Sequence, residues 1–404
     1  MRNLQIAQPA WKVLHSPALI FTVAFALRLW MFFHLAPAEA DRLFYRYNEP
    51  SRIAWALVSG YGFSSPWPNT PLLPTAQQPP LYPLLLAGIF KLLGPYTRAA
   101  LIFAAIFNAT LAAITAVLIL RLGKRDFGTP AAVLAAWLWS AWTYEAAVSL
   151  RLWESGLSAL LLVMALLLTV PMTESESKPL WFGFGVLAGV AALVNTTLLS
   201  IFTLFWLWAW IELRRRRASS RKLLLSIAAC VVTVLPWTIR NYVTFGQFIP
   251  IRDNFGLELW LGNHEGVSNV FDTDFPALNP AEYIRLGEIQ FMESKREIAF
   301  RFIGQHPLIF MRSSVRRWWK YWSEPSGSVW IFFSVLSWIG AALMIKQTDA
   351  FPYIAVGCVF PLVYYVTHTF PTYRHPIEPV ILLLASYTVV RAGEALAGRK
   401  ISLS

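Results

Sequence analysis

Four groups of acidic, basic and amide side chains interrupt the apolar stretches of this sequence, and their types suit proton transfer and phosphate binding. The groups are Asp41, Glu49 and Gln78; Arg151 and Glu154; Arg240, Arg252, Asp253 and Glu258; and the run Thr372-Tyr373-Arg374-His375-Pro376-Ile377-Glu378. A carboxylate can take a proton from an acceptor hydroxyl, and an arginine fork can stabilise a departing phosphate. If the four groups converge on one side of a membrane, their residue types suit an enzyme whose substrate carries a phosphate.

Several of these residues also have an ordinary structural interpretation. Asp41 and Glu49 could be solvated loop carboxylates. Arg151 and Glu154 stand three apart at a predicted helix start, where an ion pair is common. Arg28 lies inside the first apolar stretch, where it could extend to the membrane surface or face a polar chamber. Position alone leaves both interpretations open.

A metal site is the third use that these residue types allow. His375 and Glu378 have the His-x-x-Glu spacing of a ligand pair. One pair without thiolate ligands does not indicate a metal, and Glu378 also suits the first turn of a helix that follows Pro376. The sequence therefore does not indicate any particular cofactor, and it leaves open whether a divalent metal takes part.

The composition is that of an integral membrane protein. The chain has 404 residues, of which 56% are hydrophobic and 14% charged, and its mean hydropathy is +0.50. A net charge of +12 could suggest nucleic acid. However, the densest basic run, Arg214–Arg217 with Arg221 and Lys222, lies between two apolar stretches. It therefore predicts contact with anionic lipid on the cytoplasmic side and argues against a nucleic-acid partner.

Hydropathy and the distribution of basic residues predict an all-α polytopic protein with about ten transmembrane helices and both termini in the cytoplasm. The predicted spans are 17–35, 98–120, 130–147, 151–170, 180–194, 197–213, 221–239, 328–345, 351–367 and 378–395. Residues 81–93 are too short to cross, since they reach about 20 Å against a core of about 30 Å. They are expected to form a helix on the membrane surface, and a tight turn is expected at Asn195-Thr196-Thr197.

We expect one membrane domain with two outer segments, a first outer loop at 36–97 and an outer subdomain at 240–327. Within the subdomain, Asn279-Pro280 should start a helix, and His306-Pro307 should interrupt it. The following run of arginines and tryptophans is typical of a helix in the headgroup layer. This topology places all four polar groups on the same outer side of the membrane.

Five stretches, taken in this order, resemble the glycosyltransferase C superfamily over most of the chain. Within it, the chain is similar to the bacterial branch of family 39, near the protein O-mannosyltransferases and the lipid A aminoarabinose transferases. The stretches are Tyr47-Asn48-Glu49-Pro50-Ser51-Arg52-Ile53-Ala54; Pro74-Thr75-Ala76 with Pro79-Pro80-Leu81-Tyr82-Pro83; Leu152-Trp153-Glu154; the run from Asn254 to Asn263; and Tyr373-Arg374-His375-Pro376-Ile377-Glu378-Pro379.

The resemblance implies an inverting transferase that moves a sugar from a polyprenyl-phosphate donor to a glycan, lipid or protein acceptor of the cell envelope. The site would lie on the outer face of the plasma membrane. Its general base would be an acidic residue of the first outer loop, here Asp41 or Glu49, which stand eight apart where relatives often have an adjacent Asp-Glu.

The same resemblance implies that donor phosphate contacts Arg374 and His375. We also expect Arg151 and Arg240 to bind the donor phosphate. The substrate pocket is expected to include Arg28, Arg52, Gln78, Tyr82, Glu154, Glu258, Asn263 and Glu378. Gln78 stands before Pro-Pro where relatives often have Lys or His, so one donor or acceptor contact is expected to differ.

Two other functions fit parts of the pattern. An oligosaccharide ligase or polymerase that uses a polyprenyl-diphosphate donor would need the same outer Arg374 and His375. A flippase or transporter for lipid-linked sugars should carry ionisable groups near the midplane of several spans. Apart from Arg28, the charges here are predicted at span ends, which favours an enzyme over a transporter.

Overall fold

The computed structural model describes residues 13–35, 48–64, 67, 71–266, 280–324 and 327–398. These residues are almost entirely helical, and the one bridge between extended residues joins Ser64 to Pro74. The helices are α1 (Pro17–Leu35), α2 (Glu49–Val58), α3 (Leu81–Leu93), α4 (Arg98–Asp126), α5 (Thr129–Ala141), α6 (Thr143–Leu150), α7 (Ser155–Glu174), α8 (Lys178–Val194), α9 (Thr197–Arg215), α10 (Arg221–Phe245), α11 (Phe255–Gly262), α12 (Pro280–Gln305), α13 (Pro307–Ser323), α14 (Ser328–Met344), α15 (Phe351–Val359), α16 (Leu362–Val366) and α17 (Glu378–Ala397). Two 3₁₀ helices, Thr348–Ala350 and Pro371–Ile377, complete the set.

The apolar helices make this a multi-pass membrane protein. Six helices of the described residues are long and apolar enough to cross a membrane: α1, α4, α7, α9, α10 and the stretch Pro371–Ala397. A seventh span arises if α13 and α14, which meet at an angle of 95°, count as one. Shorter apolar helices are α3, α5, α8 and the stretch Phe351–Val366. The all-α membrane architecture is confirmed, whereas the count of ten spans is not.

Two of the predicted spans are each divided between two helices. The expected helix 130–147 ends at Ala141, because Trp142 adopts an extended conformation, and a separate helix starts at Thr143. The expected helix 351–367 is interrupted at Phe360 and Pro361. The predicted start of the span 151–170 is also displaced, since α7 begins at Ser155. This last shift leaves Glu154 at the helix N-cap, where its side chain is free to face the site.

Local sequence signals account for other helix boundaries. Helix α3 begins directly after Pro79-Pro80 and covers the predicted residues 81–93. The side chain of Asn195 accepts a hydrogen bond from the Thr197 backbone nitrogen at 3.0 Å, which makes the tight turn between α8 and α9. His306 separates α12 from α13 as predicted. Residue 279 lies outside the described residues, and α12 is described from Pro280.

Small residues bring the membrane helices close together. A Cβ atom on Gly185 of α8 would lie 2.0 Å from the Ser226 carbonyl oxygen of α10. On α14, a Cβ atom on Gly340 would lie 2.3 Å from the Leu384 carbonyl oxygen of α17. Close backbone approach at small residues is a typical source of helix association in lipid. A separate apolar cluster around Trp67, Trp260 and Phe291 packs α11 against α12.

Candidate active site

A cavity of about 390 Å³ lies where the predicted polar groups meet. Its lining comes from the first outer loop, the start of α7, the turn between α8 and α9, the segment before and along α11, and the segment from α16 to Pro376. The polar and aromatic lining residues are Glu49, Gln77, Gln78, Trp153, Glu154, Ser155, Asn195, Thr196, Thr197, Arg252, Asn254, Phe255, Glu258, Tyr364, Thr367, His368, Thr372 and Tyr373. The volume is in the range of small-ligand sites. Segments far apart in sequence therefore enclose one polar chamber.

Glu49 is held at this cavity by the start of α2. The Asn48 side chain caps the helix by accepting a hydrogen bond from the Ser51 nitrogen at 2.9 Å. The carboxylate of Glu49 accepts hydrogen bonds from Trp67 Nε1 at 3.3 Å and from Gln77 Nε2 at 3.2 Å, and it also accepts one from Gln78. Three neutral donors thus fix the orientation of this carboxylate.

Burial is the main cause of an unusual pKa at Glu49. It raises the pKa of the carboxyl to about 7, and the negative charge of Glu258 adds to the increase, while Arg252 and the donors Gln78 and Trp67 oppose it. A general base works best when its pKa is near the operating pH. Glu49 is therefore suited to accept a proton from a hydroxyl group placed in the cavity.

Arg252 is the only arginine or lysine among the described residues that lines the cavity. Its Nε donates to the Gln77 carbonyl oxygen at 3.0 Å, and its Nη2 donates to Glu258 Oε1 at 3.1 Å. These contacts hold a guanidinium on the same cavity as Glu49. A fixed guanidinium is the group best suited to bind a phosphate through paired hydrogen bonds.

His368 and Tyr373 provide further polar groups beside Arg252. His368 Nδ1 lies 3.4 Å from both the backbone oxygen and the Oε2 atom of Glu258, and its Nε2 lies 3.0 Å from the Tyr373 hydroxyl. Burial lowers the pKa of His368 despite the nearby Glu258 carboxylate. The imidazole is therefore neutral at pH 7, so it can donate at one nitrogen and accept at the other.

Glu154 and the turn Asn195-Thr196-Thr197 also line the cavity. Burial raises the pKa of Glu154 to about 7, whereas a backbone hydrogen bond and Arg252 oppose the increase. Trp153 lies beside it on the lining. Carboxyl, amide and hydroxyl groups next to an aromatic side chain can bind the hydroxyls and the apolar face of a sugar.

Arg374 and Glu378, in contrast, lie outside the cavity lining and form a fully buried ion pair. Arg374 Nε donates to Glu378 Oε2 at 2.7 Å, and Nη2 donates to Oε1 at 3.2 Å. The remaining nitrogen, Nη1, donates to Ser334 Oγ at 2.8 Å. The guanidinium also lies 4.0 Å from the ring centroid of Trp330. The neighbours Tyr373 and Pro376 do line the cavity.

His375 and Arg28 belong to a second buried polar cluster. His375 Nδ1 contacts the carboxylate of Glu145, and the imidazole ring lies 5.0 Å from the ring of Trp139. Arg28 donates to Ser149 Oγ at 2.8 Å and to the Trp139 carbonyl oxygen at 3.1 Å. Both basic residues are buried away from the cavity lining. The structure thus ties α1, α5, α6 and the 3₁₀ helix before α17 together with polar contacts.

Some of the other predicted site residues line the cavity and some do not. Gln78, Glu154 and Glu258 line it together with Glu49. The remaining ones do not line it: Arg52, Tyr82, Arg151, Arg240 and Asn263. Arg240 donates to the backbone oxygens of Thr75 and Phe63, at 2.8 and 2.9 Å. Buried Tyr82 bonds to Asn108, and buried Asn263 accepts from Arg317. Asp41 lies outside the described residues.

Three residues that matter to the geometry received no role from the sequence. Arg252 and Tyr373 were among the predicted outer polar groups without an assigned contact, and His368 was not singled out. Their positions in outer polar segments were visible, but nothing local shows that His368 meets Glu258, 110 residues away. Within the described residues, no three His, Cys, Asp or Glu side chains cluster in a way that could hold a metal ion.

The sequence and the architecture are similar to those of known proteins. Residues 77–239 match the family model described as dolichyl-phosphate-mannose-protein mannosyltransferase. No curated protein sequence matches the chain significantly. The crystal structure of ArnT from Cupriavidus metallidurans bound to undecaprenyl phosphate superposes with a TM-score of 0.52 at 15% identity, over 96% of this chain and 62% of that one.

Two oligosaccharyltransferase structures from Archaeoglobus fulgidus are also similar. The apo form has a TM-score of 0.58 at 14% identity, over 96% of this chain and 53% of that one. The complex of AglB with an inhibitory peptide and a dolichol-phosphate has a TM-score of 0.55 at 14% identity, over 96% and 52%. The chain thus spans between half and two thirds of the length of these proteins. At such identities the likeness establishes a shared fold.

Proposed function

We propose that this chain, a membrane protein of the glycosyltransferase C superfamily, transfers a sugar from a polyprenyl-phosphate carrier to a cell-envelope acceptor with Glu49 as general base. The observation that carries the proposal is that Glu49 and Arg252 line one cavity. The similar structure of ArnT has undecaprenyl phosphate bound, and that of AglB has a dolichol-phosphate bound, which supports a lipid-phosphate donor.

The proposed reaction needs one proton acceptor and one anion-binding group. Glu49 removes the proton from the acceptor hydroxyl, and the oxygen attacks the anomeric carbon of the sugar. The bond from that carbon to the phosphate oxygen breaks, and its electron pair leaves with the carrier phosphate. Arg252 and the Tyr373 hydroxyl stabilise the added negative charge on the phosphate. Attack opposite to the leaving group inverts the configuration.

Different side chains of the cavity would bind the phosphate and the sugar. Arg252, His368 and Tyr373 would bind the phosphate, while Glu154 and the turn at Asn195 would bind hydroxyls of the sugar or acceptor. The phosphate is already a good leaving group, so no acid partner is required. Gln78 contributes a neutral donor to Glu49 and adds no positive charge to the chamber.

The proposal is tested with purified protein in lipid nanodiscs and a panel of labelled sugars on polyprenyl-phosphate and polyprenyl-diphosphate carriers, with envelope extract as acceptor. We expect a glycosylated product from a monophosphate donor and release of the carrier phosphate. Transfer from diphosphate donors alone would support the ligase or polymerase alternative instead. Carrier movement across liposomes without any glycan product would support the flippase or transporter alternative.

Substitution of Arg252 tests the phosphate site. We expect Arg252→Lys to lower kcat/KM for the donor by about 10²-fold or more, because lysine keeps the charge but loses the fork that binds two oxygens. The matched control is Arg296→Lys, since Arg296 also pairs with a glutamate, Glu293, but is exposed and does not line the cavity. An Arg252→Lys variant with wild-type donor kinetics would refute the phosphate assignment.

Orientation in the membrane gives a second prediction. We propose that the turn 216–220 faces the cytoplasm with both termini and that the chamber faces outward, because basic turns are retained inside. In a background without Cys230 and Cys358, Ser219→Cys should react with an impermeant maleimide only after cells are permeabilised. Glu265→Cys, on the outer segment, should react in intact cells. The reverse pattern would place the chamber in the cytoplasm.

A further inference from the structure

Residues 75–78 include Gln77 and Gln78, two of the hydrogen-bond donors to Glu49, and they also contact residues of the outer subdomain. Gln77 and Gln78 donate to the Glu49 carboxylate on one side. On the other side, the Ala76 N–H donates to Glu288, and the Asp253 N–H donates to the Ala76 carbonyl oxygen at 3.2 Å. This short segment therefore transmits the positions of Asp253 and Glu288 to the proposed base.

The two acidic side chains behind the segment lie against each other. Both carboxylate oxygens of Asp253 are shielded from solvent and receive no hydrogen bond from any described donor. The neighbour within hydrogen-bonding reach is the carboxyl of Glu288. Glu288 also accepts from the Tyr283 hydroxyl at 3.0 Å. Two neighbouring buried carboxylates repel each other, whereas one proton between them makes a hydrogen bond.

The surrounding cations do not neutralise this pair directly. Arg252 and Arg240 are the charged groups that act on Asp253 and Glu288, from the adjacent segment and from α10. Neither forms an ion pair with these acids within the described residues; Arg252 pairs with Glu258, and Arg240 donates to backbone oxygens. Tyr283 on α12 supplies a neutral donor. A shared proton is thus the remaining way to join the two carboxyls.

We propose that Asp253 and Glu288 are positioning residues that share one proton and thereby hold residues 75–78, with Gln77 and Gln78, against Glu49. The effect on catalysis rests on the proposed function, whereas the effect on the segment does not. When the proton is lost, a second buried negative charge appears beside Asp253. Repulsion from Asp253, which outweighs the stronger bond from the Ala76 N–H to the charged carboxylate, then moves Glu288 away from Asp253. Because Ala76 bonds to both residues, the segment shifts and the two glutamine donors lose their fixed position.

The direction of the pH dependence follows from burial. Burial raises the pKa of Glu288 to about 8, and the negative charge of Asp253 contributes to the rise. Burial likewise raises the pKa of Asp253 to about 6. The pair therefore holds a proton at pH 7 and loses it as the pH increases through about 8. Protection of residues 75–78 should decrease over that interval.

Hydrogen exchange tests the proposal with no need for activity. Glu288→Gln supplies a permanent N–H donor to Asp253 and keeps an oxygen for the Ala76 N–H. We expect equal exchange of the 75–78 amides in wild type and Glu288→Gln at pH 6.5. At pH 9 the wild type should exchange about tenfold faster, since that pH lies one unit above the pKa. Comparison at the same pH removes the intrinsic pH dependence of exchange.

Controls separate the shared proton from a purely structural effect. Glu293→Gln, an exposed acid on α12 paired with Arg296, should exchange like the wild type at both pH values. Asp253→Asn, which can donate to Glu288 from the opposite side, should also retain protection at pH 9. Equal loss of protection in wild type, Glu288→Gln and Asp253→Asn would overturn the proposal, as would faster exchange in both variants at pH 6.5.

Activity gives the second readout. In the wild type, loss of the shared proton should decrease kcat/KM above about pH 8. We expect Glu288→Gln to keep the wild-type rate at neutral pH and to lack this decrease. The rise in kcat/KM towards pH 7 should remain, because it reflects the ionisation of Glu49. If no sugar transfer is found but exchange behaves as expected, the proposed function fails and the positioning pair stands. An alkaline decrease that persists unchanged in Glu288→Gln would contradict the role of the pair in positioning the base.

Discussion

Replacing Glu49 with Gln should lower the rate of sugar transfer by about 10²–10⁴-fold, because an amide cannot take the proton of the acceptor hydroxyl. Gln has nearly the same size, and the neighbouring Gln77, Gln78 and Trp67 side chains remain to hold it. The loss should therefore appear mainly in kcat, with donor KM little changed. Initial rates with a labelled polyprenyl-phosphate sugar measure the effect.

The pH profile identifies the group that Glu49→Gln removes. Only the deprotonated carboxylate can act as base, so kcat/KM of the wild type should rise as the pH increases towards about 7, the pKa that burial gives Glu49. Below that value the expected slope is about tenfold per pH unit, as for a single ionisation. The residual activity of Glu49→Gln should lack this rise.

Two further acids serve as controls for the assignment. Asp41→Asn tests the other acid of the first outer loop, which lies outside the described residues. Glu154→Gln removes a charge from the cavity lining without touching the Glu49 hydrogen bonds and should cost much less than Glu49→Gln. Full activity of Glu49→Gln would refute Glu49 as base, and full activity of Asp41→Asn as well would exclude both residues from that role.

The parts of the fold set by local chemistry could be predicted from the sequence. Pro79-Pro80 precedes the first residue of α3, and His306-Pro307 separates α12 from α13, because a proline lacks the N–H that would continue a helix. The break at Trp142 has no such signal. It depends on an extended residue between apolar neighbours, and it puts Glu145 on its own short helix beside His375.

The site was predictable in outline but not in detail. An acid in the first outer loop could be selected because a polar loop in a membrane protein must line a cavity or face water. Its partners could not, since Trp67 and Gln78 lie 18 and 29 residues further along the chain with no periodic relation. The same holds for Glu258 and His368, whose contact depends on how α11 packs beneath the segment after α16.

Arg374 shows how the same residue types can serve two different roles. The family resemblance implies that Arg374 and His375, in the last predicted outer segment, bind phosphate. The spacing of four residues between Arg374 and Glu378 equally allows an ion pair. Sequence does not distinguish the two, because the choice depends on Trp322, Trp330 and Ser334 enclosing the guanidinium. Direct contact between Arg374 and donor phosphate therefore stays a prediction, and stability and kinetics together can test it.

Replacing Arg374 with Met should destabilise the protein by about 3–5 kcal/mol, because Glu378 would remain buried without its partner. Thermal unfolding in nanodiscs measures the loss. Arg391→Met is the matched control on the C-terminal part of α17, since Arg391 pairs with Glu394 at 2.6 Å but its side chain is 47% exposed. A surface pair of this kind contributes about 0.2–1 kcal/mol.

The double variant Arg374→Met with Glu378→Leu decides between the structural and the phosphate-binding role. Apolar replacement of both partners removes the unpaired buried charge, so much of the lost stability should return. If Arg374 acts only through the ion pair, the double variant should recover the donor KM together with its stability. If Arg374 contacts the phosphate, the variant should be stable and still bind donor at least tenfold more weakly. Because Arg374 is saturated by Glu378, Ser334 and the Trp322 carbonyl, we expect the first result, with Arg252 left as the arginine that meets the donor.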